Sequence, residues 1–250
     1  MLNSTIKNSL ITLASVILLI LVWKLGAIYF DQELILPSPG TTLKQLWLII
    51  QSDAFWPAVW ATVGRGLIGF TISCLLGMVI GFGAGFSPVI YWLMQPWVTV
   101  IRATPVMSVI ILAIIWLRTD MVPVFVTFLM IFPIIYGNVV AGIQNVDRHL
   151  LEMARIYRVK MYRTIGELYI PSILPYLLAG ASTAMGITWK VIIAAEILSQ
   201  PQLAIGTNLM LAKIELATAQ VVAWTVVAII ISFLFEYLIK MLDNRLKTWS

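Results

Sequence analysis

Charge is what this sequence has least of. Only 11% of its 250 residues are Asp, Glu, Lys or Arg, against 61% hydrophobic ones, and the mean hydropathy is +0.98. A soluble domain carries about 25% charged residues, so this chain cannot cover a water-facing surface and reads as an integral membrane protein. Cysteine is nearly absent too: Cys74 alone excludes a disulfide framework within the chain. His149 is the single histidine, which leaves no H-E-x-x-H and no comparable metal cluster; its place in a loop between spans, outside the membrane, argues against a membrane Ser–His protease as well. His149 reads as an ordinary helix-start residue. No G-x-x-x-x-G-K-[ST] string occurs, so the chain has no phosphate-cradling loop and must take its energy from another subunit or an ion gradient. The Gly-rich "GFGAGFS" at 81–87 lacks the preceding strand a dinucleotide site requires. Gly77, Gly81 and Gly85 instead recur at four-residue spacing and predict a close helix-packing face. Together these absences exclude an enzyme active site.

What the sequence has in abundance is long apolar runs. A membrane-spanning helix needs about 20 mostly apolar residues, and six stretches qualify: residues 9–30, 57–85, 90–117, 122–143, 172–195 and 219–241. The expectation is an all-α polytopic membrane protein, a single transmembrane domain over 1–250 with a cytoplasmic loop at about 144–171. The first run is longer than a signal-peptide core and no A-x-A-like site follows it, so it reads as a retained helix. Residues 41–52 follow the turn "LPSPG" and predict a short interfacial helix with Leu43, Leu46, Trp47 and Ile50 on one face. Residues 196–218 read as a partly helical outer loop. Pro96, Pro105, Pro123, Pro133, Pro171 and Pro175 mark expected kinks.

Lys and Arg in the short loops set orientation. With both termini in the cytoplasm, the inside holds Lys7, Arg148, Arg155, Arg158, Lys160, Arg163, Lys240, Arg245 and Lys247, whereas the outside holds only Lys44, Arg118 and Lys213. The chain therefore reads as N-in, C-in. That distribution also removes nucleic acid as a partner, despite the net charge of +5.

Five of the inner cations crowd between Arg148 and Arg163. Topology and contact with anionic lipid explain such a cluster in part. The loop has more order than that, however. Residues 149–161 can form an amphipathic helix with Leu150, Ala154, Tyr157 and Met161 on one face. Arg148, Glu152 and Arg155 lie together on another, at ion-pairing spacings. An apolar face with an acid set among bases suits docking to a protein.

"EMARIYRVKMYRTIGELYIPSILP" resembles the coupling loop of bacterial ABC-importer permeases, whose pattern is E-A-A-x3-G-x9-I-x-L-P. Glu152, Met153 and Ala154 fall on its E-A-A positions, and Leu168, Ile170 and Pro171 on its I-x-L-P positions. The pattern's Gly falls on Arg158, a departure. It implies either that the helix continues through this point or that the partner differs in detail. "LPSPGTTL", "IRATP" and "WKVIIAAEILSQPQLAIG" narrow the likeness to the nitrate/sulfonate/taurine group, over residues 35–245.

The resemblance implies a type I ABC-importer fold and a non-catalytic permease subunit in a bacterial cytoplasmic (inner) membrane. It implies two such subunits, a second copy or a paralogue, enclosing a path for a small solute. ABC ATPase subunits would dock beneath, and an extracytoplasmic substrate-binding protein would deliver the solute. No cofactor is expected in this chain, ATP and Mg belonging to the ATPase. Glu152, Met153, Ala154, Arg155, Tyr157 and Arg158 are then the coupling residues, with Glu152 pairing to the ATPase or, failing that, to Arg148 or Arg155. The solute would be an anion such as nitrate, a sulfonate or taurine; relatives of this type also carry vitamin precursors and other heterocyclic solutes.

Ionisable groups inside spans cost about 2.5–3.5 kcal/mol each and point to function by default. Lys24 lies near the outer end of the first span and snorkels. Arg65, Arg102 and Lys190 remain, with Glu196 as the carboxylate nearest Lys190. Either they pair with carboxylates, Lys190 with Glu196, or they line a water-filled anion path. For Arg65 the structural reading is favoured. A gradient-driven transporter would show more helices, an internal repeat and buried carboxylates near the midplane, none of which this sequence offers. A purely structural membrane protein would have no reason to carry the coupling pattern.

Overall fold

The apolar runs become helices because the bilayer offers the backbone no other hydrogen-bond partners. The computed structural model describes the backbone of residues 2–247 and the side chains of residues 10–241. The topological charges Lys7, Arg245 and Lys247 therefore lie outside the described side chains. Helix α1 spans Leu2–Phe30, α2 Pro39–Ile50, α3 Phe55–Phe86, α4 Pro88–Ala103, α5 Val106–Trp116 and α6 Val122–Gln144. Then follow α7, Arg148–Ile156, and α8, Met161–Thr164, which leads through a π turn at Ile165–Tyr169 into α9, Ile170–Ser199. Helices α10 (Ile205–Ile214) and α11 (Thr218–Lys247) complete the chain.

Among the described residues, five helices are long and apolar enough to cross a membrane: Leu10–Phe30, Phe55–Phe86, Val122–Gln144, Met161–Ser199 and Thr218–Met241. The expected straight span at 90–117 is instead two helices, α4 and α5, bent by 100°. Thr104 is extended at the break and Pro105, lacking an N–H, caps α5. Packing shows that this pair still crosses. A Cβ on Gly69 would touch Thr127, one on Gly77 would touch Ile135, and one on Gly81 would touch Val139. Numbers rise together, so α3 and α6 run parallel, and the chain between them must return across the bilayer. Six crossings result. Only Pro105 breaks a helix; α4, α6 and α9 continue through Pro96, Pro133 and Pro175, while Pro123 and Pro171 sit in first turns.

The small-residue face is longer than Gly77, Gly81 and Gly85. It begins at Gly69 and includes Ser73, whose hydroxyl donates to Gly69 O at 2.7 Å and lies 3.2 Å from Phe128 O across the interface. Every fourth side chain of α6 fills the groove these residues leave: Thr127, Ile131, Ile135, Val139 and Ile143. Helix α9 packs antiparallel on α6, with Gly142 against Ile173 and Gly180 against Asn138. Trp189 of α9 fits over Gly66 and under Phe235 of α11, its ring centroid 4.7 Å from that of Phe235. Helix α1 has no buried residue in its apolar window and is tied by Trp23, which donates to Pro37 O at 3.0 Å.

Helix α2 lies where the interfacial helix was expected, but its four apolar residues do not share a fate. Leu46 and Ile50 pack against the core beside buried Ile49, while Leu43 and Trp47 are exposed.

Candidate functional site

Helix α7 is built by local signals. The Asp147 side chain caps its start by accepting from His149 N at 2.8 Å. Its end is a Schellman turn: Val159 N donates to Ala154 O at 2.9 Å and Arg158 N to Arg155 O at 3.0 Å. Arg158 takes the left-handed conformation, φ 49°, that the turn requires. The helix therefore does not continue through Arg158; an arginine adopts the backbone a glycine would favour, and the reversal is kept.

The expected coupling face is redistributed. Ala154 is buried and, with Leu151, lines a cavity of about 170 Å³ within the loop, together with Arg155, Val159, Met161, Thr164 and Tyr169. Leu150, Met153 and Ile156 point outward, joined beyond the helix end by Tyr157, Met161 and Tyr162. Ile156 and Tyr157 are largely exposed, at 77% and 75%. Arg148, Arg155, Arg158, Lys160 and Arg163, in the same segment, are exposed as well. Glu152 is exposed, and among the described residues it pairs with neither Arg148 nor Arg155.

Behind α7, Ile170 N reaches back to Ile165 O, the longer π-type bond, next to Pro171, which has no N–H to donate. The Tyr169 ring meets the end of α3 edge-on at Phe86, centroids 4.7 Å apart. The cavity beneath α7 is thus closed by Thr164 and Tyr169, immediately before α9 begins.

At the opposite end, Glu196 is fully buried and its partner is not Lys190. Its carboxylate accepts from Arg65 at 2.9 Å, from Thr62 Oγ1 at 3.0 Å and from Gly206 N at 3.1 Å. Arg65 also donates to Leu203 O at 2.8 Å and pairs with half-exposed Asp120 at 3.0 Å. Thr62 Oγ1 in turn accepts from Ile205 N at 3.0 Å. This network clamps α3, α9, the start of α10 and the α5–α6 loop together. Arg65 and Glu196 are therefore held by each other, the structural pairing favoured for Arg65 from the sequence. The two other candidates differ. Lys190 is exposed on the middle of α9, on the side that also exposes Thr183. Arg102 is exposed near the end of α4 and donates to Pro133 O at 2.8 Å.

Beside Arg102 a polar cleft of about 440 Å³ opens between α4 and α6, lined among others by Tyr91, Gln95, Gly137, Asn138 and Gln144. Sequence reading missed these residues. A signal was present: polar side chains recur within spans that are otherwise apolar.

Residues 73–248 match the family described as the binding-protein-dependent transport system inner membrane component. A putative aliphatic sulfonates transport permease of Escherichia coli (strain K12) is 30% identical over 93% of this chain and 89% of its own length. The taurine transport system permease of the same strain is 26% identical over 99% of this chain and 91% of its own. In fold, the chain is similar to a subunit of the inward-facing MetNI methionine ABC transporter, with TM-score 0.61, 13% identity, and coverage of 80% of this chain and 100% of that one. The long apolar helices, the α7 platform and these similarities converge: the chain belongs to the binding-protein-dependent family of ABC-transporter permeases, membrane-embedded, non-catalytic subunits that work with a separate ATPase and a substrate-binding protein.

Proposed function

We propose that this chain forms the translocation path of an ATP-driven importer for a small oxyanion of the sulfonate and taurine class. The observation that carries the coupling half of the reading is the outward face of α7. It offers exposed apolar side chains, five exposed cations in the same segment and one carboxylate, Glu152, free of partners among the described residues. An ATPase cleft lined by apolar groups, with a cation opposite Glu152, would be its complement. ATP and Mg bind in that ATPase. Closure of two ATPases on ATP binding pulls the two α7 helices together, and the π turn passes the motion to α9.

What one bundle leaves exposed supports a second permease subunit, a copy or a paralogue. One bundle leaves Arg102, Lys190 and Thr183 exposed within its membrane-spanning region, where lipid would penalise them. A partner bundle facing them encloses a wet path instead. Both termini lie in the cytoplasm in this reading, which puts α7 on the ATPase side. A gradient-driven mechanism finds less support: Glu196, the one fully buried carboxylate among the described residues, is committed to Arg65.

The relatives' names supply the solute class, and the cations supply its chemistry, since oxyanions form charge-assisted bonds with Arg and Lys. The test is reconstitution of the permease with its ATPase and binding protein in proteoliposomes. ATP-dependent accumulation of labelled taurine or ethanesulfonate is expected. Accumulation of a neutral heterocycle instead, or none of any solute, overturns the assignment.

A further inference from the structure

Arg102 raises a question of charge balance that the fold leaves open. Among the described residues no carboxylate lies within ion-pairing distance of it. Its one hydrogen bond uses a single N–H, directed at Pro133 O, and a guanidinium has five. The guanidinium lies against α6 at Gly137, where an added Cβ would stand 2.7 Å from it. Around it the cleft holds further unsatisfied donors. The Gln95 amide and the Tyr91 hydroxyl line it without a partner among the described residues, while Asn138 is fixed by donating to Ile134 O at 2.8 Å. Gln144 lies at the end of the cleft nearest α7.

A concave site of about 440 Å³ with one uncompensated cation and several neutral donors is complementary to a small monovalent oxyanion. We infer that the α4–α6 cleft is an oxyanion subsite within the permease itself, with Arg102 as its charge and Gln95 and Tyr91 as its neutral donors. Selection then does not end with the binding protein. The inference rests on the anion-import reading above and names where in the path the anion pauses.

The test uses the complete permease–ATPase complex carrying Cys74→Ala and Ala141→Cys, the new thiol lying in the cleft wall. Two thiol reagents of similar size are compared: anionic 2-sulfonatoethyl methanethiosulfonate, itself a sulfonate, and its cationic trimethylammonioethyl counterpart. The anionic reagent should react faster, and Arg102→Gln should lower the anion-to-cation rate ratio by about tenfold or more, as expected for one unit charge a few ångströms away in a partly solvated site. Arg102→Lys should restore most of the preference, and millimolar ethanesulfonate should slow the anionic reagent in the presence of Arg102 only. Co-elution of the ATPase verifies that each variant is assembled. A ratio unchanged by Arg102→Gln overturns the subsite, and so does a thiol inert to both reagents with and without nucleotide. An Arg102-dependent preference without sulfonate uptake keeps the subsite and removes the solute assignment; uptake without the preference does the reverse.

Discussion

Removing the Glu196 carboxylate should be among the most damaging single changes in this bundle. Its side chain is inaccessible to solvent, and its partner Arg65 is only 13% exposed. In Glu196→Ala, Gly206 N and Arg65 each lose an acceptor, and a cavity replaces the carboxylate. Breaking one side of a buried ion pair costs about 3–5 kcal/mol. The lower end applies here, because Arg65 keeps Asp120 and Leu203 O. Glu196→Gln retains the shape and an acceptor for Gly206 N, which should limit the loss to about 1–3 kcal/mol, the range for a hydrogen bond to a charged group. Asp120→Ala touches the same Arg65 from a side chain 55% exposed, and should cost no more than about 1 kcal/mol. Unfolding by SDS titration in mixed micelles reads all three. Equal effects of Glu196→Ala and Asp120→Ala, or a loss below about 1 kcal/mol for the former, would refute the claim that burial gives this pair its weight.

Other consequences are more local. Gly77→Ala places a methyl 2.9 Å from Ile135 and 3.2 Å from Tyr136 N, and should cost about 1–3 kcal/mol in the same titration. Gly64→Ala meets nothing within 4 Å and should change stability by less than about 1 kcal/mol. Asp147→Ala removes the α7 cap and should raise amide hydrogen exchange over residues 148–156 by an amount equivalent to about 1 kcal/mol. Arg158→Gly should lower exchange there, since the left-handed backbone costs a side chain about 1–2 kcal/mol, and should leave ATPase recovery intact. Lys190→Gln should slow oxyanion uptake in proteoliposomes about tenfold without loss of the ATPase.

Hydropathy alone located the crossings, because a bilayer demands long apolar helices whatever their packing. The helix break at Pro105 was not separable from the continuations through Pro96, Pro133 and Pro175, since what decides is whether neighbouring groups satisfy the freed carbonyl. Spacing identified Gly77, Gly81 and Gly85 as a packing face but not α6 as its partner. Nearness in sequence suggested Lys190 for Glu196, although six helical residues set them roughly 240° apart around the axis. The true partner, Arg65, lies 131 positions away and was visible only as an ionisable residue in an apolar span. The coupling loop was legible as a motif, yet periodicity could not tell which face turned inward. Ala154 and Leu151 turned onto the cavity within the loop, and Arg158 ended the helix expected to continue through it, because the Schellman bonds outweigh the cost of one strained residue.

The account stands or falls on α7. Tagged permease should be purified from native membranes as wild type, as Glu152→Arg, and as Glu215→Arg, which makes the same charge reversal at the far end of the bundle. An ATPase subunit should elute with wild type and Glu215→Arg and be lost with Glu152→Arg. Retention of the ATPase by Glu152→Arg, or a wild-type permease that elutes as a stable oligomer without any ATPase, would contradict the docking role of this helix.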